Sequence, residues 1–223
     1  MNKKAPLALF VYNRVKELEE TIKYLKKNIQ SLDTELFIFS DGPKNNIKDH
    51  LKVNKVREYL KTIRHFKKVN IYVNKKNLGL GSSIINGINK VFKFHDKVIV
   101  LEDDLITNKY FLKYMNDALN IFKDDKNIYH INGFNHPLLK NNSKVPNYFL
   151  SKIIYSWGWA TWKSKWKIFS SDSEKFIIKL RSSEEFDFDN SYFFFPQLIA
   201  NYRKKINSWA IFWYSSIFLK DKL

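Results

Sequence analysis

With 223 residues the chain is long enough to bury a sizeable core, and one large domain is the default expectation. Its 39 Lys and Arg against 22 Asp and Glu leave a formal charge of +17, which favours anionic partners, although 34 of the 39 are Lys and the excess can equally reflect composition. Cysteine is absent, so disulfides, thiol catalysis and Cys-based zinc sites are excluded, and a reducing cytoplasm fits.

The opening Met1-Asn2-Lys3-Lys4 leads straight into a strand-like run with no signal-peptide core. Apolar runs at Leu7 to Tyr12, Leu36 to Phe39, Val69 to Val73, Val98 to Leu101 and Ile128 to Ile131 predict strands covered on both faces. Between them, three- and four-residue spacing predicts helices. The stripes are Leu18, Ile22, Leu25, Ile29; Val53, Val56, Leu60, Ile63; Ile84, Ile88, Val91; and Leu112, Met115, Leu119, Phe122. This alternation reads as an α/β domain with a mostly parallel sheet, in which ligands collect at the carboxyl ends of the strands.

Those ends carry polar or glycine chemistry: Tyr12-Asn13-Arg14, then Ser40-Asp41-Gly42-Pro43, then Asn74 to Ser83, then Glu102-Asp103-Asp104. Three adjacent carboxylates at the end of a buried strand repel one another, which predicts a cation beside them. Oxygen-only ligands suit Mg²⁺ or Mn²⁺ held jointly with substrate phosphates. The loop "NLGLGSSI" holds Gly79 and Gly81, but Ile84 stands where a dinucleotide fingerprint would carry its third glycine. Asp41 before Gly-Pro reads equally as an Asx turn or as a partner for a base or ribose, and Arg14 offers a fork for phosphate. His50, His65, His95, His130 and His136 show no metal-ligand spacing and read as structural or surface residues.

From about Pro137 the regular beat stops and aromatic residues crowd in, at Tyr155 to Trp166, Phe186 to Phe195 and Ser208 to Tyr214. Most such tryptophans pack in cores, while one or two can stack on a sugar ring. The Trp209 to Leu219 segment is too short to span a bilayer but, with Lys220 and Lys222 after it, could lie on an anionic membrane. With no internal repeat and no long linker, the expected organisation is one domain, 1–223, with a ligand-binding half at 1–133 and a continuation at 134–223.

Taken in order, "LALFVYNR", "FIFSDGPK", "NLGLGSSI", "VLEDDLIT" and "YSWGWATWKSKW" resemble bacterial nucleotide-sugar glycosyltransferases of the GT-A fold and, more distantly, N-acetylglucosaminyltransferase I enzymes with their Glu-Asp-Asp form of the DxD motif. The resemblance implies a metal-dependent, inverting transfer from a nucleotide diphosphate donor, UDP-sugar favoured, to a surface glycan or lipid-linked acceptor. It further implies a cytoplasmic protein, peripheral on the inner membrane face where the acceptor is lipid-linked, and no nucleic-acid partner. Val11, Tyr12, Asn13 and Arg14 would line the nucleotide pocket, Asp41 would contact the base, and Leu78, Gly79 and Ser83 would border ribose and diphosphate. Glu102 and Asp103 would contact sugar and ribose hydroxyls, Asp104 would ligate Mn²⁺ or Mg²⁺, and Trp157, Gly158 and Trp159 would face the acceptor.

The sequence departs from that pattern twice. Asn207 stands where relatives carry the Asp base, and an amide cannot take up the acceptor's proton. The task then moves to Asp187, Asp189 or Asp172, or the Asn marks an exchange that traps substrate, or the transferase does not turn over. Relatives also continue past Leu223, which implies a C-terminal truncation. The alternatives are a sugar nucleotidyltransferase, which would carry a glycine-rich loop after the first strand, and a basic nucleic-acid-binding domain, which gives no reason for the acidic triplet.

Overall fold

The computed structural model describes residues 3–135 and 149–223; His136 and Pro137 lie outside them. Six strands form one sheet: β1 (Leu7–Val11), β2 (Glu35–Ser40), β3 (Lys68–Val73), β4 (Lys97–Glu102), β5 (Ile131–Asn132) and β6 (Trp159–Trp162), in the order β3-β2-β1-β4-β6-β5. The first four are parallel, as the alternation with helices α1 (Val15–Lys26), α2 (Ile47–Leu60) and α3 (Leu80–Val91) requires. The helix after β4 is α4 (Phe111–Ile121).

The two-residue period of the strands sorts the core into two layers. Leu7, Leu9, Val11, Ile38, Ile99 and Leu101 face the apolar stripes of α1, α2 and α4. Ala8, Phe10, Phe37, Phe39, Val98 and Val100 face Ile84, Ile88 and Val91 of α3. Gly87 lets α3 approach closely: a Cβ there would lie 2.5 Å from the Phe10 ring. The edge strand β3 is the exception to burial on both faces, with Ile71 and Val73 exposed.

The second half differs from the sequence expectation. The predicted strand over Ile128 to Ile131 shrinks to β5, Ile131–Asn132, and the stronger strand is β6, antiparallel to both β4 and β5. All four residues of β6 are buried, and they sit inside an aromatic-rich stretch with no apolar run set off by turn residues that would mark a strand. The remaining helices are α5 (Lys163–Trp166), α6 (Ser173–Leu180), α7 (Phe194–Tyr202) and α8 (Trp209–Phe218).

Helix α8 is core, which corrects its reading as a membrane-facing segment. Trp209, Trp213 and Ile217 pack beneath α3, while Ile211 and Tyr214 join Phe176, Leu180, Phe186 and Leu198 in a third cluster. A helix apolar on all sides belongs in an interior. Among the described residues no helix is long and apolar enough to cross a membrane.

In the aromatic layer His130 is buried. It stacks on Trp159, with centroids 5.1 Å apart, accepts a hydrogen bond from Trp213 Nε1 on Nδ1 at 3.1 Å, and lies 3.2 Å from the Tyr155 carbonyl through Nε2. Those partners assign the neutral imidazole with its proton on Nε2. Burial accordingly pushes its pKa down to about 4.

Candidate active site

The carboxyl ends of β1, β2 and β4 meet the N-terminus of α3. Glu102 closes β4, and Asp103 and Asp104 follow in a turn. Asp103 is 2% exposed; its Oδ2 accepts the Tyr12 N–H at 3.0 Å and its Oδ1 the Arg14 guanidinium at 2.5 Å. The other Arg14 nitrogen reaches Asp104 Oδ2 at 2.6 Å. Part of the cation expected beside the triplet is thus supplied by the chain itself. One guanidinium does not balance three carboxylates. Burial, then the charges of Asp104 and Asp103, push the Glu102 carboxyl up to about 7 against the pull of Arg14. Burial also raises Asp103, outweighing the Tyr12 N–H and Arg14.

The opposite wall is the loop before α3. Gly79 sits at φ +75°, a conformation that glycine tolerates and L-residues rarely adopt, and it stands at the N-cap of α3. Asp41 holds this loop. Its carboxylate accepts the N–H groups of Gly42 at 2.9 Å, Leu78 at 3.0 Å and Gly79 at 3.0 Å, and the side-chain amides of Asn77 at 3.2 Å and Asn74 at 3.3 Å. A carboxylate offers about four lone-pair sites, so Asp41 is saturated by its own chain. The geometry makes it the clamp of the loop, at the wall of the cavity.

Between these walls lies a cavity of about 300 Å³. Of the residues expected around a nucleotide, Val11, Tyr12, Arg14, Asp41, Gly79, Ser83 and Asp103 line it, whereas Asn13, Leu78 and Glu102 do not, nor does Asp104, the expected metal ligand. The stacked rings of Phe10 and Phe39, 5.1 Å apart, contribute an apolar wall, and Lys44 and Asn77 add polar groups that the sequence reading did not single out. The Ser83 hydroxyl is buried against the cavity and has no partner among the described residues.

A further residue was missed. Asp49 in α2 accepts from the Tyr12 hydroxyl, from Asn13 Nδ2 at 2.6 Å and from the Lys44 N–H at 2.6 Å, tying the end of β1 to the loop after β2. Although burial opposes it, those hydrogen bonds hold Asp49 below the usual carboxylate range, and burial with Asp49 as partner pushes the Tyr12 phenol up to about 12. Asn46 caps the same helix through the Asp49 N–H at 2.9 Å, and the Asn-x-x-Asp spacing is the signal that could have flagged the pair.

Asn207 lies beside the start of α3 but, like the alternative bases, is not among the residues that line the cavity. Its side chain lies over the start of α3, where a Cβ on Gly81 would be 2.7 Å from its Oδ1. Asp187 accepts the Phe195 N–H at 2.7 Å at the start of α7, Asp172 caps α6 through the Lys175 N–H at 3.0 Å, and Asp189 lies in a left-handed turn with Phe188 and Asn190.

The expected acceptor group divides. Trp157 is 52% exposed, packs edge-on against Phe134 at 4.6 Å, and borders a second cavity of about 430 Å³ with Tyr110, Tyr114 and Thr107. Trp159 is fully buried in β6, stacked on His130 and on Trp209 at 4.9 Å, so its ring is out of reach of an acceptor. Gly158, at φ +73°, leaves room for the Phe111 ring, which a Cβ would meet at 2.9 Å, and not for an acceptor.

The model of Glycosyl transferase family 2 matches residues 8–181, which include β1 to β4, the triplet and β6. The chain belongs to this family. In a family 2 glycosyltransferase, a mostly parallel sheet flanked by helices is the GT-A fold. Comparison with curated proteins gives no match. Among solved structures, the chain is similar to the mannosyltransferase PcManGT from Pyrobaculum calidifontis, in complex with GDP-Man and Mn²⁺, at 10% identity and a TM-score of 0.46, over 77% of this chain and 49% of that one. It is also similar to S. aureus TarS, at 18% identity and a TM-score of 0.39, over 64% of this chain and 23% of that one. The chain therefore spans about half the length of the first of these proteins and about a quarter of the second.

Proposed function

We propose that this family 2 glycosyltransferase takes its sugar from a nucleoside diphosphate, UDP conjugates first, and passes it to a hydroxyl of a glycan or lipid-linked acceptor with inversion, assisted by Mn²⁺ or Mg²⁺. The observation that carries the reading is the pairing of opposite walls around one cavity: Asp103 after β4 with Arg14 bound to it on one side, and the start of α3 with the orphaned Ser83 hydroxyl on the other. A nucleoside diphosphate sugar bridging to a cation needs both kinds of wall.

The donor set fits such an ion. Among the described residues no three His, Cys, Asp or Glu side chains form a ready metal cage. Asp103 has both oxygens engaged within the chain, whereas Asp104 is 38% exposed with only Oδ2 committed. One or two carboxylates completed by substrate phosphates is the way Mg²⁺ is commonly held. Asp104, with Glu102 behind it, would hold the ion, which when bound supplies neutralisation of the charge developing on the departing diphosphate. Arg14 and the start of α3 orient the donor, Ser83 donates to a phosphate or ribose oxygen, and Trp157 offers an exposed face to the acceptor.

The test is a thermal-shift screen of UDP, GDP and their sugar conjugates with and without Mn²⁺, followed by donor hydrolysis by wild type and Asp104→Asn. A metal-dependent shift with one nucleotide, and loss of hydrolysis in the variant, is the expected result. Full metal-stimulated hydrolysis by Asp104→Asn would overturn the assignment.

A further inference from the structure

The Arg14 guanidinium occupies the place that a cation on Asp104 would need. Its two contacts are unlike. Asp103 is 2% exposed and also holds the Tyr12 N–H, so that half of the bridge is fixed. Asp104 and Arg14 are 38% and 43% exposed, so the other half lies open to water, and an exposed ion pair biases an equilibrium by about fivefold at most. Arg14 also stands at the N-terminal end of α1, with no capping bond of its own, where the helix dipole disfavours a cation and the carboxylates supply the hold. The same side chain lines the cavity shared with Ser83 and the start of α3.

We infer that Arg14 is an exchangeable internal counter-ion: a divalent cation arriving at Asp104 releases the guanidinium from that carboxylate, and the freed fork turns to the phosphates of a donor in the adjoining cavity. The inference rests on the donor-site reading above. In the ligand-free protein a divalent ion competes with a tethered cation and is held weakly. With a diphosphate present, Arg14 has other acceptors, so cation and nucleotide favour one another, and linkage makes that factor the same in both directions. The bidentate reach of guanidinium suits both partners, which a lysine would not match.

The test is calorimetric titration of Mn²⁺ alone, UDP alone, and each in the presence of the other, into wild type, Arg14→Ala and Arg14→Lys. Arg14→Ala is expected to tighten Mn²⁺ in the nucleotide-free protein by roughly two- to fivefold, since a competing positive charge is removed, while weakening UDP and bringing the coupling factor towards one. Arg14→Lys is expected to keep the weak Mn²⁺ binding of wild type. A merely structural role would weaken both ligands together. A second readout is taken on wild type: the chain has five arginines, and the Arg14 Nε–H resonance, assigned by its loss in Arg14→Lys, is expected to shift when Mg²⁺ and UDP are added. Unchanged or weaker Mn²⁺ binding by an Arg14→Ala protein with wild-type melting, or an unmoved resonance, overturns the exchange while leaving the donor site standing. Failure of wild type to bind Mn²⁺ or UDP in any combination removes both.

Discussion

Acidification is expected to weaken the fold through His130. Its ring is buried, neutral and hydrogen-bonded at both nitrogens, with a folded-state pKa near 4 against an ordinary value of 6.5. Between those values the unfolded chain binds the proton and the folded one does not, so stability is present above pH 6.5 and is lost as pH falls towards 4. At about 1.4 kcal/mol for each pH unit, that gap comes to roughly 3 kcal/mol, a large share of the roughly 5–15 kcal/mol that holds an ordinary domain together. The assay is urea unfolding at pH 7.5, 6.5, 5.5 and 4.5, followed by tryptophan emission, which reports on Trp159 and Trp213 packed against the ring. His130→Gln can accept from Trp213 and donate to the Tyr155 carbonyl without titrating, so the stability it loses between pH 6.5 and 4.5 is expected to be smaller than the wild-type loss by about 2 kcal/mol. Equal slopes for the two proteins would refute the reasoning, because other histidines and the carboxylates are common to both.

Other outcomes follow from the same geometry. Asn207→Asp places a carboxylate over the start of α3; if this position supplies the base, turnover should rise by orders of magnitude, measured as product formed per minute at saturating donor, and no change would return attention to other residues. Asp41→Ala removes the acceptor of five donors; it should cost about 2–4 kcal/mol and speed amide exchange at Leu78 and Gly79. The two tryptophans of the acceptor segment should separate: Trp159→Ala costs about 3–5 kcal/mol in a denaturant titration, whereas Trp157→Ala leaves stability within about 0.5 kcal/mol and raises the KM for acceptor. Gly87→Ala should destabilise by about 1–3 kcal/mol, since its Cβ would strike Phe10.

The first four strands and their helices were legible because short continuous apolar runs, as in β1, alternate with apolar stripes spaced three to four residues apart, as in α1 and α4. The acidic triplet was legible from electrostatics alone, since three carboxylates after an apolar run demand a counter-ion. What supplies that counter-ion was not, because Arg14 lies ninety positions from Asp104 and no local pattern pairs them. Asp41 illustrates the same limit. Its chemistry was evident in "FSDGP", but whether the carboxylate faces a ligand or its own chain depends on where the loop through Leu78 and Gly79 comes to rest. β6 escaped detection for a different reason: its four residues sit inside an aromatic-rich stretch with no apolar run set off by turn residues, and its tryptophans suggested a binding surface.

The insertion of β6 between β4 and β5 has a consequence for biogenesis. While the polypeptide emerges from the ribosome, β1 to β4 can pair in order, yet the outer rim of β4 keeps its amides and carbonyls bare until Trp159 to Trp162 have been made. An unpaired rim of Val and Ile is a template for adventitious pairing with a neighbouring nascent molecule. Slowing translation between Glu102 and Trp159 should therefore lower soluble yield, and a holding chaperone should restore it.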